Sequence, residues 1–214
     1  MLQIAACLAG IFFLLVISEI LGRQKNLRGD PQRKFVHITA GVFIAFWPWL
    51  ISWRSIEWIG VAMLAIVLLN HRVKLVDFHS KIKRDTYGDI FFALAVILIP
   101  LITNQKIFFA LTILIMSLAD GLASLVGQRY GQKWRYKVFH HNKTVIGSMT
   151  LWFVSLCVLA VGVLFAHDLI SFRAYVALLL ALPPILVIVE NITLMGLDNL
   201  AMPLVVLLAL NLAR

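Results

Sequence analysis

The sequence predicts an all-α, polytopic membrane protein of about eight transmembrane helices, and three observations carry that prediction. The 214 residues are 62% hydrophobic and only 14% charged, with a mean hydropathy of +0.95, whereas soluble domains are roughly 45–50% apolar and about 25% charged. The apolar residues fall in long runs, as helices crossing about 30 Å of hydrocarbon require. The basic residues gather in alternate connections between those runs, the pattern that orients helices in a bilayer.

The predicted spans lie at roughly 2–21, 34–51, 55–70, 88–103, 106–126, 145–166, 172–189 and 199–213. The first has no positive charge before it and Arg23, Lys25 and Arg28 after it. A secretory signal has the opposite order, so the run is expected to stay as a span. The second follows Arg33-Lys34, and the third ends at His71. Between the third and fourth, His71–Thr86 is polar but carries Val73, Val76, Phe78 and Ile82; a short interfacial helix and an irregular loop both fit it. The fifth span is unbroken up to Ala119 and then meets Asp120. The sixth opens on Lys143-Thr144 and Gly147-Ser148, and the seventh contains Pro183-Pro184, which is predicted to kink it. The eighth is short, with Asp198 and Asn199 at its mouth. No soluble domain or low-complexity segment interrupts the series, so residues 1–214 read as one transmembrane domain.

Three stretches hold all but four of the 19 basic residues. Residues 22–34 carry Arg23, Lys25, Arg28, Arg33 and Lys34; residues 71–87 carry Arg72, Lys74, Lys81, Lys83 and Arg84; residues 127–144 carry Arg129, Lys133, Arg135, Lys137 and Lys143. Arg54, Lys106, Arg173 and Arg214 lie elsewhere. The positive-inside bias puts the three basic connections in the cytoplasm and both termini outside, N-out/C-out; residues 190–198 then also face the cytoplasm. The expected location is the plasma (inner) membrane of a bacterium. The net charge of +9 is explained by this orientation and by attraction to anionic lipid head groups, not by nucleic acid. Cys7 and Cys157 sit inside apolar runs and suggest neither a disulfide framework nor a metal site.

Ionisable residues at membrane depth are expensive and are functional candidates by default. Asp89, Asp120, Glu190 and Asp198 all fall at cytoplasmic span ends, as do Arg33, Lys34, His37, Arg84, Tyr87 and Lys143. Marking the end of a span would explain any one of them, but not their convergence. Carboxylates in a helix-lined cleft suit Mg²⁺, which takes oxygen ligands from one or two carboxylates and from substrate phosphates. Arg and Lys beside them suit phosphate oxygens. Together they describe a site for phosphoryl or nucleotidyl transfer. His37 follows Arg33-Lys34 by about one turn and suits either phosphate contact or a bond within the bundle.

The segment Ala119–Gly131, ADGLASLVGQRYG, is rich in small residues, which allow close approach of another helix or of a ligand. Gly127 and Gly131 open a basic, aromatic loop, 128–144, with Trp134, Tyr136 and Phe139 among its cations. Lys143, Thr144, Gly147 and Ser148 then stand at a helix start, a ready anion site. It is not a phosphate-binding P-loop, whose motif occurs nowhere in the chain. Asn142-Lys-Thr and Asn191-Ile-Thr fit the glycosylation sequon but fall on the cytoplasmic side, and His140-His141 reads more simply as solvated than as a metal pair.

These motifs, in this order, resemble the CTP-dependent kinases of polyprenols and other lipid alcohols: dolichol kinase, phytol kinase and the yeast-type diacylglycerol kinase. RKFVH at 33–37 is similar to the family's Arg-Lys-x-x-His element, and RDTYGDIFFALA at 84–95 to its Tyr-Gly-led helix. ADGLASLVGQRYG at 119–131, then Lys-Thr-x-x-Gly-Ser at 143–148, resemble its Asp-x-x-Ala-x-x-x-Gly element and sequel. ENITLMGLDNLAMPL at 190–204 resembles its closing Glu…Asp-Asn-x-x-x-Pro. The resemblance covers most of the chain. It implies a membrane enzyme that moves the γ-phosphate of CTP to a lipid hydroxyl at the cytoplasmic leaflet, with Mg²⁺. Asp120 would bind Mg²⁺ or activate the hydroxyl, and Glu190 and Asp198 would complete the metal site. Lys143, Arg33 and Lys34 would hold phosphate, with His37, Arg84, Tyr87, Gly88, Gly127, Thr144 and Gly147 in the nucleotide region.

Phosphatidate cytidylyltransferase shares the Asp…Gly…Lys…Gly arrangement and is the first alternative. Its long basic and glycine-rich closing motif is reduced here to GLDN, which favours the kinase. A lipid transporter or scaffold is the second. Transporters place charges at the midplane and often show inverted repeats; here the charges gather at one face and no clear repeat is present. The acceptor alcohol and the oligomeric state are left open.

Overall fold

The computed structural model describes residues 2–24, 29–73, 87–139 and 141–214. Ten α-helices account for nearly all of the described chain. They are α1 (Leu2–Gln24), α2 (Asp30–Ala45), α3 (Trp47–Leu50), α4 (Trp53–Val73), α5 (Gly88–Ile102), α6 (Lys106–Leu114), α7 (Asp120–Tyr130), α8 (Val145–Leu164), α9 (Phe172–Ile192) and α10 (Asp198–Leu212). A π-helical turn, Ile115–Ala119, joins α6 to α7 without a break, so 106–130 is one continuous rod. Five segments are long and apolar enough to cross a membrane: Leu2–Gly22, Trp53–Val73, Lys106–Tyr130, Val145–Leu164 and Phe172–Ile192. α5 and α10 are apolar but shorter, at 15 residues each, or about 22 Å. The second predicted span appears as the pair α2 and α3, interrupted at Phe46 ahead of Pro48.

The rod 106–130 is the centre of the molecule. Of its most apolar stretch 67% is buried, against 11–22% for the other four membrane-length helices. α2, α8 and α10 each pack on both α6 and the π-helical turn; α5 packs on α10 and touches α6, α4 joins through α5, α9 through α8 and α10, and α1 through α2. The outer helices turn Phe12, Phe13, Trp58, Ile66, Phe153, Val161, Leu180 and Ile188 outward. In water such a surface would be an aggregation hazard; against acyl chains it costs nothing.

The local sequence explains several ends. Gly29 adopts φ 98° and Pro31 enters the first turn of α2, where its missing N–H is no loss. Thr144 caps α8 by accepting from Gly147 N–H at 3.1 Å, and Ser171 caps α9 through Ala174 N–H at 3.3 Å.

Two features depart from the sequence reading. The predicted loop 128–144 contains two paired strands: β1 (Arg135–Val138) pairs antiparallel with β2 (His141–Thr144) as a β-hairpin, with Tyr136 opposite Lys143, so the fold is not wholly α. The alternation of exposed and half-buried residues along β1 is a period of two, too short a signal to stand out in a basic, aromatic stretch. Secondly, Asp120 does not mark the end of its helix. α7 continues to Tyr130, so Asp120 lies about 15 Å from that end. α9 carries Pro183 and Pro184 inside one helical run, Phe172–Ile192, with Pro183 buried; neighbouring helices let membrane helices tolerate such prolines. Only His71–Val73 of the polar stretch 71–86 are described, as the end of α4; the interfacial-helix reading falls otherwise on residues outside the described chain.

Candidate active site

A cavity of about 560 Å³ opens among the first turns of α2, one side of α7, the hairpin with the start of α8, and the α9–α10 connection. α2 supplies Asp30, Arg33 and Lys34; α7 supplies Asp120, Ser124, Gly127 and Gln128. The hairpin and α8 supply Arg135, Asn142, Lys143, Thr144, Gly147 and Ser148, and the last wall is Glu190, Thr193–Gly196, Asp198 and Asn199.

Two ammonium–carboxylate pairs dominate it. Lys34 Nζ stands 2.6 Å from Asp120 Oδ2, with both side chains almost fully buried. Lys143 Nζ donates to Glu190 Oε1 and, at 3.0 Å, to the Glu190 carbonyl. The partners lie 86 and 47 residues apart in sequence, so each pair exists only because the helices bring it together. Asp198 lines the same cavity, its Oδ1 accepting from Asn199 N–H at 3.2 Å. A ring of weaker ties supports the pairs. Asp30 accepts from Arg33 at 2.8 Å and from Gln128 at 2.5 Å. Burial favours its neutral acid, but the Arg33 guanidinium and the Gln128 amide hold its carboxyl below the usual carboxylate range. Tyr136 donates to Asn191 Oδ1 at 2.8 Å and its hydroxyl lies 2.5 Å from Ser148 Oγ. The hairpin is thus tied to both α8 and α9.

Arg33, Lys34, Asp120, Gly127, Lys143, Thr144, Gly147, Glu190 and Asp198 therefore line one cavity. Others named from the sequence lie elsewhere. His37 is behind the Lys34–Asp120 pair, its Nε2 3.7 Å from Asp120 Oδ2 and donating to the Met116 carbonyl at 3.3 Å; the bond within the bundle is the one it makes. Tyr87 is exposed and stacked on His71, which pairs with Asp89 at 3.0 Å. Gly88 is buried on α5, its carbonyl accepting from Asn199 Nδ2 at 3.0 Å. Arg84 and His140 lie outside the described residues. Gly127 and Gly147 face one another: a Cβ on Gly127 would stand 3.1 Å from Gly147 Cα and 2.6 Å from Thr144 Oγ1. Both glycines are needed for α7 and α8 to touch.

Gln128, Arg135, Tyr136, Asn191 and Asn199 were not singled out as site residues by the sequence. Asn191 and Asn199 stood in the closing motif, Gln128 in the segment 119–131, and Arg135 and Tyr136 in the basic, aromatic loop, but nothing there marked them above their neighbours. The π-helical turn immediately before Asp120 was equally invisible, although such turns are frequent at functional sites.

Among the described residues no three His, Cys, Asp or Glu side chains cluster closely enough to hold a metal. The oxygen donors Asp120, Glu190 and Asp198 share the cavity, but lysines already engage two of them. A donor set of that kind fits Mg²⁺ only as one or two carboxylates completed by substrate phosphates.

The fold and site define an integral membrane protein whose polar, charge-lined cavity sits among apolar helices. Over 210 residues the chain is 33% identical to phytol kinase from Synechocystis sp., covering 95% of this chain and 88% of that one. It belongs to the lipid-alcohol kinase family that includes that protein. No protein-family model matches the chain, and no solved structure matches it.

Proposed function

We propose that the chain transfers the γ-phosphate of CTP to the hydroxyl of a membrane lipid alcohol, with phytol the first acceptor to test. The observation that carries this reading is the convergence of Lys34–Asp120 and Lys143–Glu190 in one cavity of a chain 33% identical to a phytol kinase. Phosphoryl transfer asks mainly for positioning and for cations around the transferred group. Lys34, Lys143, Arg33 and Arg135 line the cavity and would neutralise the polyphosphate. The lipid oxygen would attack the γ-phosphorus as the bond to the β-phosphate oxygen breaks and CDP leaves. Asp120 would receive the hydroxyl proton once phosphate oxygens draw Lys34 away. Mg²⁺, when bound, would be held by Asp198 with Asp120 or Glu190 and would spread the charge of the transferring phosphoryl group. The eight apolar helical segments would all span or dip into the bilayer, with both termini outside and the cavity facing the cytoplasm.

The test is incubation of purified protein with γ-labelled CTP or ATP, Mg²⁺ and a panel of phytol, longer polyprenols and diacylglycerol. Labelled lipid phosphate and stoichiometric CDP are expected. Pyrophosphate with a CDP-lipid formed from phosphatidate would replace this reading with that of a cytidylyltransferase.

A further inference from the structure

We propose that the α9–α10 connection is the acceptor subsite, with Asn199 taking the hydrogen bond of the lipid hydroxyl and Leu194 and Met195 receiving the first carbons of its chain. This rests on the lipid-alcohol kinase reading. Asn199 is 7% exposed, and its Nδ2 donates to the Gly88 carbonyl at 3.0 Å. A carbonyl only accepts, so this bond fixes which end of the amide is oxygen. That oxygen, Oδ1, is buried and has no hydrogen-bond partner among the described residues. A buried acceptor left without a donor is uncommon and costly, and the residue lines the cavity that holds Asp120. The missing partner must be a donor, as an alcohol is.

The neighbouring turn says which donor. Along the cavity wall the side chains are polar or charged except at Ala123 and at Leu194 and Met195, which are 39% and 50% exposed. An apolar doorstep beside a polar acceptor fits a ligand with a hydroxyl head and a hydrocarbon tail, and fits a nucleotide poorly. The turn is also shaped deliberately. Met195 adopts φ 55° and Gly196 φ 90°, a conformation unusual for a residue with a side chain. The Tyr87 N–H, donating to the Met195 carbonyl at 2.9 Å, holds it there. Tyr87 and Gly88 thus act on this site through their backbones, from outside the cavity.

The experiment measures phosphorylation of phytol and of a short, water-soluble prenol by wild type, Asn199→Ala and Leu194→Ser/Met195→Ser, with the KM of the nucleotide followed in parallel. Asn199→Ala is expected to lower kcat/KM at least tenfold for both alcohols and to leave the nucleotide KM within twofold. The double variant is expected to raise the KM of phytol about tenfold and to spare the short alcohol. Since Asn199→Ala also removes the bond to Gly88, Asn199→Asp, which keeps an acceptor and loses that bond, should recover a measurable part of the rate. A changed nucleotide KM with unchanged acceptor kinetics would overturn the assignment, as would equal loss in the Ala and Asp variants. If wild type phosphorylates no alcohol at all, the lipid-kinase reading has failed instead.

Discussion

Asp120 is the residue on which most depends, and its pairing changes how it must be tested. Its carboxylate and the Lys34 ammonium are both buried and 2.6 Å apart. Removing one partner of a buried pair strands the other charge, at a cost of about 3–5 kcal/mol. Asp120→Asn is therefore expected to lose activity by orders of magnitude, because a neutral amide neither accepts the proton nor serves a hard cation; it should also lose thermal stability. The double variant Asp120→Asn/Lys34→Met separates the two effects. It should recover much of the stability, since replacing a whole buried pair is often neutral, and none of the activity. Recovery of turnover in the double variant would make the pair structural. Asp168→Asn is the control: Asp168 is 85% exposed and pairs with exposed His167, so both readouts should stay near wild type.

At the scale of elements, the contact between α7 and α8 sets the distance between Asp120 on one helix and Lys143 just before the other. A Cβ at Gly147 would meet Thr144 Oγ1 at 2.8 Å and the Ala123 carbonyl at 3.1 Å. Membrane helices gain their affinity from such close approach, not from hydrophobic burial. Gly147→Val should therefore destabilise by about 1–3 kcal/mol, read as a lower melting temperature in detergent, whereas Phe153→Ala on the exposed face of α8 should change it little. An unchanged melting temperature with a raised nucleotide KM would instead assign Gly147 to ligand approach. The sequence placed this glycine at a helix-start anion site in the nucleotide region, not in a helix contact. Helix spacing shows in residue size, whereas the surface it meets does not. The hairpin was hidden for a related reason: four residues per strand give too little pattern, and its anchor, Tyr136 on Ser148 and Asn191, spans three elements.

For the whole molecule, the orientation is open to direct test. α8, α9 and α10 lie between Lys137 and Arg214. If all three cross, reporters fused after those residues should read opposite sides, cytoplasmic after Lys137 and external after Arg214. The same side for both would mean that one of the three, most readily 15-residue α10, re-enters without crossing, and the shared face of the site residues would need another explanation. The sequence by itself determined that the chain is a bundle of apolar helices and that Arg33, Lys34, Asp120, Lys143, Glu190 and Asp198 belong together. Hydrocarbon cannot satisfy charges, so charged residues among apolar runs are forced to the ends of spans or into a shared polar interior. Only the tertiary structure decided who pairs with whom: Lys34 with Asp120 and Lys143 with Glu190, His37 turned to Met116, and Asn199 fixed on Gly88 with one oxygen left without a partner among the described residues. Those pairings depend on the rotation and depth of each helix, which come from side-chain packing between segments far apart in the chain, and no local pattern encodes them.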